Sequence, residues 1–257
     1  MSKRKRFVLT SLILSLGFFI VQFVNVQLYK FIGIAILGAL SLILFTWSLW
    51  EGLGKNPTLL TLILPLGFTV GVGLFWFLLP VSWLSRIPII IVFGLGIYAL
   101  TLTANIYTVA AIRTIALFRA ARGVGFLLTL ITMFLIFDTI LSLRASLLTT
   151  SLSIVLISFP LYLQGFWSAS LDEKLRGDLI KTTIITSLVM GESAINIFFW
   201  PVTVVVGSLF LTIASYILLG LGQAKLEGRL FKQTVREYLV VGIVVFLVMF
   251  ASTHWGG

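Results

Sequence analysis

Two acidic side chains, Asp138 and Glu192, fall inside long apolar stretches of this 257-residue sequence. An ionisable side chain in hydrocarbon is costly, so by default it marks a binding site or a proton relay. Counted along predicted helices that start near Gly123 and Leu179, the carboxylates lie about 22 and 20 Å from the helix starts at about 1.5 Å per residue. We therefore expect the two acids at one depth of a bilayer, buried and facing each other across a shared pocket.

Further polar residues are expected at the same depth. Gln22 and Asn25 share a face of the first predicted helix, Asn196 follows Glu192 by one turn, and Arg144 is placed as a counter-ion at the outer end of the helix of Asp138. The predicted substrate- or proton-binding residues are Asp138, Glu192, Arg144, Asn196, Asn25 and Gln22. The alternative is structural: each acid is protonated or paired and only bridges neighbouring helices.

Nine apolar spans position these residues. A hydrocarbon core about 30 Å thick needs about 20 apolar residues in each helix. The spans lie near residues 7–29, 31–50, 57–79, 87–106, 123–143, 148–168, 179–200, 201–222 and 237–254. With 60% apolar and 10% charged residues, the composition also lies far outside the soluble range. We predict an all-α, polytopic membrane protein in which residues 1–257 form a single membrane domain.

The basic residues predict the orientation. Of the 18 Lys and Arg, only Lys30, Arg86 and Arg144 fall on the side opposite the N-terminus. This bias predicts a cytoplasmic N-terminus and an external C-terminus in the plasma (inner) membrane. The net charge of +10 is then a topology signal, with anionic lipid head groups of the inner face as expected partners and no nucleic acid.

Cysteine and histidine chemistry is almost excluded. The chain has no cysteine and one histidine, His254. Disulfides and thiolate metal sites therefore cannot form, and a Ser/His/Asp triad around a histidine beside the C-terminus is not expected. We expect no metal and no cofactor.

The sequence also contains an apparent duplication. The segment LSLIL at 40–44 matches LSIVL at 152–156, and further matches follow at a similar shift. We predict two parallel four-helix repeats, 31–145 and 146–257, with an extra N-terminal helix in 1–30.

One pattern in the last third of the chain resembles a known group of proteins. It consists of Glu192-x3-Asn196-x3-Trp200-Pro201, Glu227-Gly228-Arg229-Leu230 and Glu237-Tyr238-Leu239. It is similar to uncharacterised multi-span membrane proteins of candidate-phyla bacteria. The resemblance implies no activity.

Three functions fit these observations. The first is binding or transport of a small or lipid-linked solute, with proton coupling through the two acids. The second is a non-catalytic membrane subunit or assembly factor, to which a membrane partner would bind. The third is an intramembrane enzyme that uses the carboxylates as acid and base on a lipid-linked substrate.

Overall fold

The computed structural model describes residues 2–24, 26–54, 57–79, 83–112, 116–251 and 253, without the side chains of 83–85. Over these residues the chain forms nine α-helices and one 3₁₀ helix, and no strand. The α-helices are α1 (Lys3–Val21), α2 (Gln27–Leu49), α3 (Ile63–Trp76), α4 (Trp83–Ala110), α5 (Phe118–Ser142), α6 (Leu147–Ser170), α7 (Gly177–Phe198), α8 (Val204–Leu226) and α9 (Lys232–Ala251). The 3₁₀ helix, Thr58–Leu62, leads directly into α3.

The all-α class predicted from the sequence is confirmed. Within the described part of the chain, seven helices are long and apolar enough to cross a membrane: α2, the 3₁₀ helix with α3, α4, α5, α6, α8 and α9. The protein is therefore helical and suited to a membrane. α1 and α7 are helices as expected, but α1 begins with four consecutive basic residues and α7 carries Asp178, Lys181 and Glu192.

The chain divides into two compact units. The first comprises Met1–Thr132 with Leu171–Lys174, and the second comprises Met133–Ser170 with Leu175–Gly257. The division falls inside α5, which contributes its first part to one unit and its last part to the other.

Aromatic side chains form much of the core of the first unit. Phe18 of α1 is buried against Trp76 of α3 and Phe93 of α4, with ring centroids 6.4 and 4.8 Å apart. Phe68 stacks on Phe93 at 6.0 Å, and Gly96 leaves the space that this ring occupies. Because these rings come from three helices, they hold α1, α3 and α4 together.

Small residues let the helices of the second unit approach closely. The hydroxyl of Ser151 in α6 donates to the carbonyl of Gly191 in α7 at 3.0 Å. A Cβ atom on Gly191 would collide with Val155. Gln223 of α8 donates its side-chain amide to the carbonyl of Gly165 in α6 at 2.9 Å. Close backbone approach of this kind is typical of helix packing in membranes.

α7 reverses the pattern of a water-soluble helix. Its buried face carries hydroxyls: Thr183, Thr186 and Ser187 each donate to the carbonyl four residues earlier. Its exposed face carries large apolar side chains such as Ile185 and Leu188, which are 57% and 54% exposed. A contiguous exposed apolar face of this kind is typical of a helix that contacts lipid or another helix.

Candidate functional site

Asp138 lies in the part of α5 that belongs to the second unit, and its side chain is 5% exposed. The Ser208 hydroxyl of α8 donates to its Oδ1 at 2.9 Å. The same hydroxyl lies 3.0 Å from the carbonyl of Val205, so the two acceptors share one proton. The carboxyl group of Asp138 therefore connects α5 to α8 through a single side-chain hydrogen bond.

An open pocket of about 660 Å³ lies next to this pair. Its wall includes Leu141 and Gly207, which lie within one helical turn of Asp138 and Ser208 in sequence. The pocket is lined by Leu141, Arg144, Ala145, Thr150, Ile197, Phe198, Trp200, Pro201, Val202, Thr203, Val204 and Gly207. Arg144 is the one formally charged side chain among these residues.

Two connections shape the pocket. Arg144 ends α5 with a positive φ of 47°, and its N–H donates to the carbonyl of Leu141 at 3.2 Å. Thr203 precedes α8 as its N-cap and accepts from the N–H of Val206 at 3.4 Å. The Arg144 side chain is exposed. A guanidinium in this position can bind a carboxylate or phosphate through paired hydrogen bonds.

Trp200 fixes one rim of the pocket. Its indole Nε1 donates to the hydroxyl of Thr253 at 2.6 Å, and its ring contacts those of Phe246 and Phe250 edge to face. The connection between α7 and α8 is therefore held to the C-terminal end of α9. Tryptophan is common at membrane–water interfaces, which agrees with a pocket at a helix end.

Glu192 departs from the sequence expectation. Its side chain is exposed on α7, whereas its neighbours Met190, Gly191 and Ala194 are buried. Asn196 is exposed too, and its Nδ2 donates to the main-chain carbonyl of Glu192 at 3.1 Å. The expectation of two buried acids facing each other is therefore wrong for Glu192. Distance along a helix gives depth, but the buried small residues decide which face turns inward.

Two of the expected site residues, Gln22 and Asn25, come from the first predicted helix. Gln22 belongs to the first unit, is 6% exposed, and neither its Oε1 nor its Nε2 has a hydrogen-bond partner. Asn25 lies outside the described residues. Among the described residues of the predicted set, Arg144 lines the pocket, and Asp138 is buried within one helical turn of Leu141, which also lines it.

Sequence reasoning missed Ser208, the partner of Asp138. The sequence could have indicated Ser208, because it precedes Ser215 by one heptad, which places both serines on one face of α8. Both are fully buried. A serine on the buried face of an apolar helix needs an acceptor, either its own helix carbonyl or a neighbouring side chain.

A second polar cluster lies in the first unit, at the start of α1. Glu51 accepts from Lys3 Nζ at 2.8 Å and from Arg6 Nη2 at 2.5 Å. Hydrogen bonds from Lys3 and then Arg6 hold the pKa of the Glu51 carboxyl below its ordinary value. Lys3 and Glu51 also line a pocket of about 310 Å³ with Asn105 and Thr108.

Metal binding has no support in the described part of the chain, where no three His, Cys, Asp or Glu side chains come together in a way that could hold an ion.

The fold and the pocket define a helical membrane protein with an open cavity at helix ends, which is lined mainly by apolar residues and by Arg144. The chain belongs to the family described as "Protein of unknown function (DUF5656)", whose model matches residues 50–252. The resemblance to an uncharacterised family is thereby confirmed. No curated protein and no solved structure matches the chain.

Proposed function

We propose that all nine helices cross the plasma membrane, with the N-terminus in the cytoplasm and the C-terminus outside. For α7, the support is its exposed apolar face and its hydroxyl-lined buried face. For α1, it is the run of exposed Leu12, Leu16 and Ile20 that follows the basic first turn. The uneven distribution of Lys and Arg supports the orientation.

We further propose that the chain arose by a parallel duplication, with α2–α5 and α6–α9 as the repeats. The supporting observation is that the first three helices of each repeat pack in the same pairs, whereas the fourth helices differ, because α9 packs along α8 and α5 makes few close contacts with α4. α2 packs on α3 and α4, which also pack on each other; α6, α7 and α8 repeat this arrangement.

The protein, in this proposal, binds an anionic small or lipid-linked solute at the 660 Å³ pocket and moves it across the membrane. One observation carries the proposal: Arg144 lines an open pocket beside which Asp138 is buried in the same unit. The guanidinium attracts a carboxylate or phosphate to a helix end where the lipid meets water. The apolar wall of Leu141, Ile197 and Phe198 accommodates the uncharged part of the solute.

Asp138 supplies the proton-binding group. A carboxylate within one helical turn of Leu141 in the pocket wall would repel an anion bound at Arg144, so protonation of Asp138 would favour occupancy of the pocket. Occupancy and protonation of Asp138 then rise together, which couples solute binding to the proton gradient. Ser208 keeps the carboxyl group in place in either protonation state, because its hydroxyl can donate to Oδ1 or accept from a protonated carboxyl.

Flux through reconstituted protein tests this function. Vesicles of phosphatidylcholine and phosphatidylglycerol carry fluorescent phosphatidylglycerol, and external dithionite reports its movement between leaflets. A second set of vesicles is filled with the pH-sensitive dye pyranine, whose fluorescence reports proton movement. Arg144→Gln should slow the anionic lipid at least tenfold, and Asp138→Asn should abolish any dependence on the pH gradient. Arg119→Gln, an exposed cation at the other end of α5, is the matched control and should leave both readouts unchanged.

Wild-type rates in both the Arg144→Gln and Asp138→Asn proteins would contradict the mechanism. Fluorescent phosphatidylcholine, which has no net charge, is the control lipid. If Arg144→Gln slowed its movement as well, selection of an anion by Arg144 would be contradicted.

The non-catalytic subunit remains a second candidate because of one observation. A single serine bridges Asp138 to α8, which is also what a purely structural acid would show. This alternative predicts that Asp138→Asn changes the melting temperature and leaves both fluxes at the background of empty vesicles. The enzyme alternative has lost its support, since an acid–base pair needs both carboxyls at one site and Glu192 is turned outward.

A further inference from the structure

The pocket beside Lys3 and Glu51 lies in the first unit and is not used by the proposed transport site. Three helix ends form it: the start of α1, the end of α2 and the last turns of α4. Its polar lining consists of Lys3, Ser48, Glu51, Asn105 and Thr108. Its volume of about 310 Å³ suits a small molecule or the head group of a lipid.

Direct contacts between the three helix ends hold the walls of this pocket in place. The hydroxyls of Thr10 in α1 and Ser48 in α2 lie 2.7 Å apart and form a hydrogen bond. Gly52, which follows α2, leaves room for Thr108 of α4, since a Cβ atom on Gly52 would lie 2.7 Å from the Thr108 hydroxyl oxygen. The polar groups of the pocket are therefore positioned before a ligand binds.

Among its described residues, the lining has one positive and one negative side chain. Lys3 Nζ lies 2.8 Å from Glu51 Oε2, and Arg6 donates to the other carboxylate oxygen. An ammonium has three hydrogens and a carboxylate has about four lone-pair sites, so Lys3 and Glu51 each retain hydrogen-bonding capacity after they pair. Lys3 can therefore donate to an anionic group of a ligand, while Glu51 accepts from a cationic group of the same ligand.

The neutral groups around Glu51 favour a donor. Thr108 uses its only hydroxyl hydrogen on the main-chain carbonyl of Asn105 at 2.9 Å, so its oxygen can only accept from a ligand. The carboxamide of Asn105 adds another acceptor oxygen to the lining. Both α2 and α4 end at this pocket, and the C-terminal end of a helix carries a partial negative charge that favours a cation. These features suit a primary ammonium, which has three hydrogens to donate.

We propose that this pocket binds a zwitterion that carries a phosphate and a primary ammonium. The phosphate accepts from Lys3, and the ammonium donates to Glu51 and to the oxygens of Thr108 and Asn105. The Lys3–Glu51 pair stays intact, because the two charges of the ligand lie antiparallel to it and each charge then has two opposite neighbours. The head group of an aminophospholipid has this chemistry, and so does soluble phosphoethanolamine.

Charge balance selects the zwitterion over a ligand of one sign. The charges of Lys3 and Glu51 cancel, so neither a net anion nor a net cation would be neutralised by the described lining. A simple anion would pair with Lys3 but would be repelled by the Glu51 carboxylate and by the ends of α2 and α4. A simple cation would be repelled by Lys3. A quaternary ammonium has no hydrogen to donate and would leave the acceptor oxygens without partners.

Lipid binding by the full chain tests the proposal. Native mass spectrometry of the detergent-solubilised protein measures its affinity for added phosphatidylethanolamine, phosphatidylcholine and phosphatidylglycerol. Phosphatidylethanolamine should bind about tenfold more tightly than the other two, because choline cannot donate a hydrogen bond and phosphatidylglycerol has no ammonium. Added phosphoethanolamine distinguishes the two sources of this chemistry. If it displaces the lipid, a soluble ligand is sufficient, and if it does not, the pocket binds the membrane lipid.

Four variants locate the binding at this pocket. Glu51→Gln should abolish the preference for phosphatidylethanolamine over phosphatidylglycerol, and Lys3→Gln should weaken phosphatidylethanolamine binding about tenfold, since each variant removes one charge-assisted contact. Asn105→Leu fills the pocket without altering the ion pair and should weaken binding too. Lys5→Gln is the matched control and should bind like the wild type, because it removes the same charge from the first turn of α1 at a position about 200° around the helix from Lys3.

Equal affinity of the wild type for the three lipids would overturn the proposal. A preference for phosphatidylethanolamine that survives in Glu51→Gln, or an equal loss of affinity in Lys3→Gln and Lys5→Gln, would overturn it as well. Glu51→Gln also loses an ion pair within the protein, so melting temperatures are measured in parallel. If that variant were too unstable to measure, an unchanged affinity in Asn105→Leu would overturn the proposal by itself.

Discussion

Ser208 Oγ lies 2.9 Å from Asp138 Oδ1, and this bond joins α8 to the last part of α5 in the second unit. Both side chains are at least 95% buried. The bond therefore couples the acid of the proposed proton site to the helix that begins at the pocket.

Replacement of Ser208 by alanine should lower stability more than replacement of Asp138 by asparagine. Ser208→Ala leaves a buried carboxyl without its donor, which costs about 1–3 kcal/mol. Asp138→Asn keeps an acceptor for the same hydroxyl and should cost less. Thermal unfolding in detergent measures both. Thr212→Ala, which removes a hydroxyl that donates only within α8, is the control, and an equal loss in all three variants would contradict the bridge.

Gly191 should tolerate no side chain. Gly191→Ala would place a methyl group against Val155 and push α7 away from α6, at about 1–3 kcal/mol for overpacking. Val155→Ala should restore part of the loss in the double variant. Gly177→Ala, at the open start of α7, should leave the melting temperature nearly unchanged. Equal melting temperatures for the alanine variants at 191 and 177 would contradict close packing of the two helices.

Glu51 should make the contact between the start of α1 and the end of α2 sensitive to acid. Its folded pKa is lowered by Lys3 and then Arg6, so its contribution is fully present above the ordinary pKa of 4.5 and is lost as pH falls through the lower folded value. Glu51→Gln should therefore be less stable than the wild type near pH 7, and the two should converge under acid.

Because Glu51 and Lys3 are about half exposed, the difference should also shrink in high salt. Melting temperatures measured from pH 3 to 8 at two salt concentrations test this. A Glu51→Gln difference that grows toward low pH would contradict the sign of the pKa shift.

The helices could be predicted from sequence because their signal is strong. Every apolar span of about 20 residues contains a helix. Pro160 does not interrupt α6, in which neighbouring helices can satisfy a freed carbonyl. The end of the first helix was placed too late: the span was expected over residues 7–29, whereas α1 ends at Val21 and α2 begins at Gln27. Hydropathy alone therefore did not locate this helix end.

The site was harder to predict, and Glu192 shows why. Its depth follows from counting residues, but its direction depends on which face of α7 packs on α6. Gly191 and Ala194 favour the packed face, because small residues let α7 approach α6 closely. The buried hydroxyls of this face, such as that of Ser187, donate to carbonyls of α7 itself and so need no partner on another helix. A search for the small-residue face of α7 would have placed Glu192 on the opposite side.

Arg144 allows the roles of backbone and charge to be separated. Its φ of 47° lies in the left-handed region, where a residue other than glycine is strained by about 1–2 kcal/mol. Arg144→Gly should relieve this strain and maintain or raise the melting temperature, while it removes the one formal charge among the described residues that line the pocket. The same variant should slow movement of fluorescent phosphatidylglycerol and leave phosphatidylcholine unaffected.

Arg144→Lys keeps a positive charge and should retain part of the anionic flux at a melting temperature close to that of the wild type. If the glycine variant moved the anionic lipid at the wild-type rate, Arg144 would serve only to end α5, and the anion-binding role of the pocket would be wrong.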